Sequence, residues 1–545
     1  MVRVRSVVAL ANKKLTVQLA AWLLAGSSGL SMLFGFWRMR LLNATYLDSY
    51  PTGYDAYIAA FTVPDFMFFI LVSGALSVTF IPVFNQRLGT GNKKSAWQLS
   101  TSMINFMALL TLVASILIMI FAEPLVRYVI APGLSESGTA LAISMTRVIA
   151  VNPLLFAVAT VLASIQQAVG RFTFYAMAPI LYNIGIIFGI KVLTGGINLF
   201  GWQVFDGGIM GVALGVVVGA ILQLIVSSIG LIGLGFDYQF KIFWKNKGFR
   251  KVLLLLPIRS LDQGMDYIVG IAETNIASRF GAGTLAAYNQ ATTLHMAPIN
   301  LIGVAISNAA FPQMTEELGK GQTELFKKNL QKILRVIIWL VLPVSVMTFF
   351  MRGYLVTLIK PGGNALIAGL LGALVLAILF RSIYHIAARS FYAQQDTKTP
   401  LYISIFTIAL NIALAIWFAI GLHLGGYGLA WAQSLVAMIE VIILFIVMAQ
   451  RIPGLFDRVM VHAVARMVSA TGFMSMVTYI TVQLFQLQNS DQSLLSTLPK
   501  LFVIGIVSVV AYMTFCWLLK IEEVMPILAR LRRFMLVRFG RPTVG

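Results

Sequence analysis

Apolar runs long enough to cross a bilayer recur along nearly the whole chain, separated by short polar links. The first reaches from Val17 to Phe36, and the second, from about Ala56 to Phe84, contains Pro64, Asp65 and Pro82 and is expected to bend. Further runs near 102–122, 141–168, 172–194 and 207–234 complete a set of six. A second set lies near 252–280, 285–314, 331–351, 364–392, 400–421 and 426–449, and two more near 462–485 and 499–519 bring the total to about 14 spans. The first run is too long for the apolar stretch of a secretory signal and leads into more membrane, so it reads as an uncleaved span. The fold class that follows is an all-α polytopic membrane protein.

Basic residues occupy every second link: Arg87, Lys93 and Lys94; Arg171; Lys241, Lys245, Lys247, Arg250 and Lys251; Lys320, Lys327 and Lys328; Lys398; Arg451 and Arg458. Arg3, Arg5, Lys13 and Lys14 precede the first span, and Arg530, Arg532, Arg533, Arg538 and Arg541 follow the last, so both termini are expected to be cytoplasmic. This pattern changes how the net charge of +21 is read. In a soluble chain it would suggest nucleic acid; with 59% hydrophobic and 11% charged residues it points to anionic membrane lipids and excludes nucleic acid as a partner. The single cysteine, Cys516, lies in an apolar run, and no zinc, phosphate-loop or nucleophile-elbow pattern occurs. Nothing asks for a metal or a cofactor, and the links are too short to house an enzyme site.

An internal repeat is visible. Ser77, Pro82, Leu88, Gly89 and Gly91 recur as Ser307, Pro312, Leu318, Gly319 and Gly321, and Gln166, Gln167 and Asn183 are echoed by Gln394, Gln395 and Asn411. The offset of about 230 residues covers six spans, an even number that preserves orientation, which predicts two parallel six-helix repeats related by an axis along the membrane normal. The expected domains are residues 1–240, residues 241–455, and residues 456–545, the last holding two added helices and a basic tail.

One span breaks the apolar rule. Within RSLDQGMDYIVGIAETNIASR, Arg259, Asp262, Asp266 and Glu273 fall within roughly 60° of arc on one helix face. A charge at the bilayer centre costs about 2.5–3.5 kcal/mol, so such a stripe predicts a polar cavity rather than lipid contact. In the tenth span Arg381, His385 and Arg389 share a face, with Arg381 near mid-span. Asp65 and Arg147 are expected to pair between helices, His295 to be packed, and Glu440 to be structural.

Several motifs carry a resemblance. RSFYAQQDTKTP, from Arg389 to Pro400, looks like the RAFYAxxDTKTP segment of the MurJ-type (MviN) lipid II flippases, members of the same superfamily as MATE multidrug exporters and oligosaccharide-lipid flippases. Gly74–Ser77 followed by FIPVF at Phe80–Phe84, Ala131-Pro132-Gly133, and the stretch around Pro179 and Asn183 are also similar to that family. The resemblance covers nearly the whole chain and departs at the cavity. Family arginines that accompany the one matching Arg38 are replaced by Met32, Phe68 and, approximately, Thr293, and a carboxylate by Met39, while Asp55 matches a family aspartate.

The resemblance implies a bacterial inner-membrane flippase that moves an undecaprenyl-diphosphate-linked wall precursor by alternating access. The expected substrate-binding residues are Arg38, Asp55, Arg259, Asp262, Asp266 and Arg381, with Glu273 and Asn411 as a coupling-ion site driven by sodium, protons or the membrane potential. Other wall-synthesis membrane proteins are expected partners. Another polyprenyl-linked glycan or a drug cation is the alternative cargo, and a non-transporting scaffold for wall synthesis the alternative of another class.

Overall fold

The structure, a computed structural model, describes residues 16–73, 79–199, 202–488 and 490–525. The terminal basic clusters, Gly74–Ser77, and the side chains of Arg259, Asp262 and Asp266 lie outside the described residues. In chain order the helices are α1 (Val17–Leu42), α2 (Pro51–Phe68), α3 (Ile81–Gly89), α4 (Lys93–Pro124), α5 (Glu136–Ile149), α6 (Asn152–Ala168), α7 (Thr173–Lys191), α8 (Ile209–Ile229) and α9 (Lys247–Ala277). They continue as α10 (Thr284–Pro298), α11 (Ala305–Gly319), α12 (Thr323–Ile359), α13 (Ala365–Ala373), α14 (Val375–Ala393), α15 (Lys398–Ile416), α16 (Gly426–Arg451), α17 (Arg458–Leu484) and α18 (Leu494–Leu518).

Among the described residues twelve helical stretches are long and apolar enough to cross a membrane, and α13 with α14, bent by 44°, makes a thirteenth. Counting the charged α9 gives the expected 14 spans. The first helix is longer than the apolar run suggests and continues through a π turn, Asn43–Leu47, so Arg38 lies within it rather than beyond its end. The second continues through Pro64 without a break in the helix and passes into the π turn Phe69–Ser73. An antiparallel hairpin of β1 (Ile197–Leu199) and β2 (Trp202–Phe205) joins α7 to α8, an element absent from the apolar pattern.

Two compact units divide the chain after Ala286. In the first, Phe80, Phe84, Leu99, Met103, Val161, Ile165 and Phe249 form an apolar core between α3, α4, α6 and α9. Glycines let α7 and α8 pack backbone to backbone: an added Cβ would lie 2.3 Å from the Gly219 Cα at Gly185 and 2.6 Å from the Gly215 Cα at Gly189. Such four-residue glycine spacing is how membrane helices gain dispersion contact without a hydrophobic driving force. In the second unit Phe326, Leu330, Ile337, Ile386, Phe391 and Leu444 hold α12, α14 and α16 together. The two C-terminal helices pack on α12 at Trp339, α17 through Met467, Ala470 and Met474, and α18 also by hydrogen bonds: Trp339 Nε1 donates to Cys516 Sγ at 3.4 Å, and the Tyr512 hydroxyl donates to the Trp339 carbonyl at 2.8 Å.

Among the described residues the repeat has a geometric counterpart at the first of the two clusters. After α3, Gly91 N donates to Leu88 O and Asn92 N to Arg87 O; after α11, Gly321 N donates to Leu318 O and Gln322 N to Glu317 O. Both glycines have positive φ, 76° and 72°, the backbone that ends a helix this way and that only glycine adopts without strain. The second cluster is out of step. The helix-ending turns place Gly170 (φ 78°) and Gln395 (φ 61°) in corresponding positions, 225 residues apart, whereas Gln166 and Gln394 are 228 apart. Gln166, Gln167 and Asn183 therefore do not occupy the positions of Gln394, Gln395 and Asn411.

Within each unit the basic links gather on one face. In the first, Arg171 donates to Ile232 O at 3.3 Å and Asn246 to Ser95 O at 3.0 Å; in the second, Arg451 donates to Thr399 Oγ1 at 2.9 Å and Gln331 to Leu455 O at 2.8 Å. That is the distribution the positive-inside pattern requires.

Candidate functional site

In the first unit, α1 packs on α7 through Asn183, whose Nδ2 donates to Ser31 O and Ser31 Oγ, both at 3.3 Å. Arg38 lies two turns further along the same face of α1. Its charge and that of Asp65 both act on the phenols of Tyr57 and Tyr182. Arg38 is thus near enough to two tyrosines for its charge to be felt by both. Asp65 does not pair with Arg147, contrary to expectation: Arg147 Nε donates to Met119 O at 3.3 Å.

The departures from the family pattern have local explanations. Phe68 belongs to a ladder of rings, 5.5 Å from Phe156 and 5.4 Å from Phe69, and Phe156 in turn meets Tyr182 at 5.3 Å while Phe69 stacks on Tyr267 of α9 at 4.3 Å. Aromatic packing worth about 0.5–1.5 kcal/mol per pair takes the place of a cation there. Met32 is exposed, and the Thr293 hydroxyl is turned back to Asn289 O at 2.8 Å.

Asp55 is buried, and both carboxylate oxygens accept backbone donors, Gly283 N at 2.6 Å and Ala286 N at 2.7 Å. A carboxylate facing the first turn of α10 satisfies unpaired N–H groups and meets the positive end of the helix dipole. Glu273, in the last turns of α9, is also buried, and the end of that helix is tied to the Ala131-Pro132-Gly133 motif. Asn275 Nδ2 donates to Val129 O at 2.7 Å and Gly133 N to Ser278 Oγ at 3.2 Å, while any Cβ at Gly133 would lie 2.4 Å from the Arg279 Cα. The motif is thus a clamp on α9.

In the second unit Arg381 meets Glu440, with Nη1 3.2 Å from Oε2 and side chains 26% and 3% exposed. The other carboxylate oxygen accepts the hydroxyls of Ser404 and Thr407, each at 3.1 Å. The Tyr384 hydroxyl lies 3.3 Å from Ser404 Oγ. One buried carboxylate therefore joins α14, α15 and α16. Glu440 is structural, as expected, but Ser404 and Thr407 were not foreseen; their three-residue spacing within an apolar run was the available signal. His295 is buried, as expected, and Asn411 is buried on α15.

The RSFYAQQDTKTP segment is a helix start. After the left-handed Gln395, Asp396 Oδ1 accepts Lys398 N at 2.9 Å and Thr399 N at 3.0 Å, Oδ2 accepts the Thr399 hydroxyl at 2.6 Å, and Arg451 Nη1 lies 2.7 Å from Oδ2. Burial pushes the Asp396 carboxyl up, but the Thr399 hydroxyl and N–H, together with Arg451, outweigh it and hold the carboxyl well below the usual range. A carboxyl depressed in the folded state gives stability that is complete above its unfolded value of about 4 and is lost as pH falls through the lower folded value. Thermal unfolding of the detergent-solubilised protein is expected to show Asp396→Asn less stable than wild type at pH 7, the gap narrowing below about pH 4; a pH-independent gap would assign the effect to packing.

The comparisons with known proteins agree with this architecture. The family described as "Lipid II flippase MurJ" matches residues 44–499. A protein of Borreliella burgdorferi named probable lipid II flippase MurJ is 23% identical over 431 residues, 78% of this chain and 82% of that protein. The lipid II flippase MurJ of Burkholderia cenocepacia is 26% identical over 401 residues, 70% of this chain and 74% of its own. A solved structure of a lipid II flippase MurJ in an inward closed conformation superposes with a TM-score of 0.72 at 21% identity, covering 90% of this chain and 97% of that one. An inward-facing MATE-family multidrug transporter gives 0.61 at 17% identity, covering 78% and 96%. With a family match that spans most of its length and a fold shared with both flippase and exporter, the chain belongs to the lipid II flippase MurJ family.

Proposed function

We infer that the protein is a non-catalytic transporter of the bacterial inner membrane that flips a lipid-linked peptidoglycan precursor, lipid II, to the outer leaflet by alternating access. The observation that carries this is the family match over residues 44–499, set on a multi-pass helical fold. The cargo needs cations for its diphosphate, polar room for sugars and peptide, and an apolar path for its polyprenyl tail. Arg38 and Arg259 supply the cations, with Asp262 and Asp266 positioning Arg259; Asp55, which caps the first turn of α10, and Arg381 of the second unit are the other residues assigned to substrate binding. The lobes are residues 1–240 and 241–455, with 456–545 added, and both termini are cytoplasmic. Wall-synthesis membrane proteins and anionic lipids are its neighbours.

Depletion of the protein in its own cells, followed by identification of the lipid-linked intermediate that accumulates in the inner leaflet, tests the cargo. Accumulation of lipid II is expected; accumulation of a different polyprenyl-linked glycan would reassign it. Glu273 couples transport to a cation or proton in this reading, because a charge within a span is balanced at least cost by one of these, and Asn411 is a second coupling residue, carried by the second unit. Glu273→Gln is expected to abolish the dependence of transport on sodium or pH, and its unaltered persistence would remove Glu273 from the coupling.

A further inference from the structure

The link between α8 and α9 stands apart from the cargo site. From Phe236 to Phe243 it has no regular secondary structure, yet it is pinned along α4. Asn105 Nδ2 donates to Gln239 O at 2.8 Å and Lys241 O at 3.0 Å, the Tyr238 hydroxyl donates to Asn105 Oδ1 at 2.6 Å, and Phe243 N donates to Ser102 Oγ at 2.9 Å. Phe236 is held against Trp97, with ring centroids 5.3 Å apart, and Trp244 against Phe106 at 6.2 Å. The strap nevertheless leaves ring surface outward. Phe240 is left 93% exposed, Trp244 53% and Tyr238 49%.

Exposed cations surround these rings. Lys241, Lys245, Lys247, Arg250 and Lys251 are all exposed, against one acid, Asp237, which accepts Gln239 Nε2 at 3.1 Å. The strap joins the ends of two membrane helices, on the face of the unit that gathers the basic links, so the headgroup layer is what it meets. Aromatic rings favour that layer, and each lysine or arginine near an anionic surface adds about 1 kcal/mol, close to fivefold in local lipid binding.

We propose that the Phe236–Lys247 strap is a binding surface for anionic phospholipid headgroups, with Phe240 and Trp244 inserted among them and Lys241 and Lys245 on the phosphates. It shares no residue with the Arg38 or Arg381 clusters and does not depend on the identity of the cargo.

The test uses the full chain in phosphatidylcholine vesicles doped with brominated phosphatidylglycerol or brominated phosphatidylcholine. The Trp244 signal is taken as the difference between wild type and Trp244→Phe. Several-fold stronger quenching by the anionic lipid is expected, abolished in Lys241→Gln/Lys245→Gln and in about 0.5 M NaCl, where the Debye length falls to roughly 4 Å. Equal quenching by the two lipids in wild type, or a preference that survives both the double variant and salt, overturns the proposal. Absence of quenching by either lipid also overturns it, and assigns the strap to water or a protein partner. The salt arm on wild type keeps the test decisive even where the double variant folds poorly.

Discussion

Glu440→Ala is expected to destabilise the protein by about 3 kcal/mol, the lower end of what removing one partner of a buried ion pair costs, because Arg381 keeps a quarter of its side-chain surface exposed. The loss comes less from the ion pair itself than from what remains: a guanidinium within a span without its carboxylate, and the hydroxyls of Ser404 and Thr407 with one acceptor fewer. Arg381→Met/Glu440→Leu removes both charges and is expected to regain most of the lost stability. Thermal unfolding in detergent reads both. If the double variant is no more stable than Glu440→Ala, the pair is not what holds α14, α15 and α16 together. A stable double variant that fails to support growth would show that Arg381 has a second role, in cargo binding.

The second large effect is expected at the diphosphate. A guanidinium donates two parallel hydrogen bonds to phosphate oxygens, where an ammonium acts as a compact point charge. Charge-assisted bonds of this kind contribute roughly 1.5–3 kcal/mol each, about tenfold or more in affinity. Arg38→Lys and Arg259→Lys are therefore expected to bind precursor about tenfold more weakly and to retain partial function, while Arg259→Ala/Asp262→Ala fails to complement. Full complementation by a stably folded double variant would leave Arg259 and Asp262 only a structural role.

Much of the fold could be read from the apolar runs because each span satisfies its own backbone, so its signal is local and about 20 residues long. The turns after α3 and α11 were legible for the same reason, since a left-handed glycine closing a helix is marked by nearby residues. Contacts between distant residues were not. Nothing near Asp55 announces Gly283, and nothing near Arg147 announces Met119. The match of Gln166 with Gln394 failed because the two turns it spans differ by three residues, about one helical turn. Arg38 is legible through its match to a family arginine, whereas Tyr57 and Tyr182, the tyrosines that feel its charge, are read as ordinary membrane aromatics until the helices are assembled. Phe68 shows the converse: a position at which the family carries charge has been given over to ring packing.

The central claim is transbilayer movement of lipid II, and its most direct test is the purified protein in vesicles loaded with fluorescent lipid II. The fraction of label reached by an impermeant reagent added outside is followed over time. The account predicts protein-dependent exposure of inner-leaflet lipid II that is fast in wild type and reduced in Arg38→Ala. Exposure no faster than in protein-free vesicles, with the protein folded and cargo bound, would contradict it and leave a membrane protein that binds the precursor without moving it.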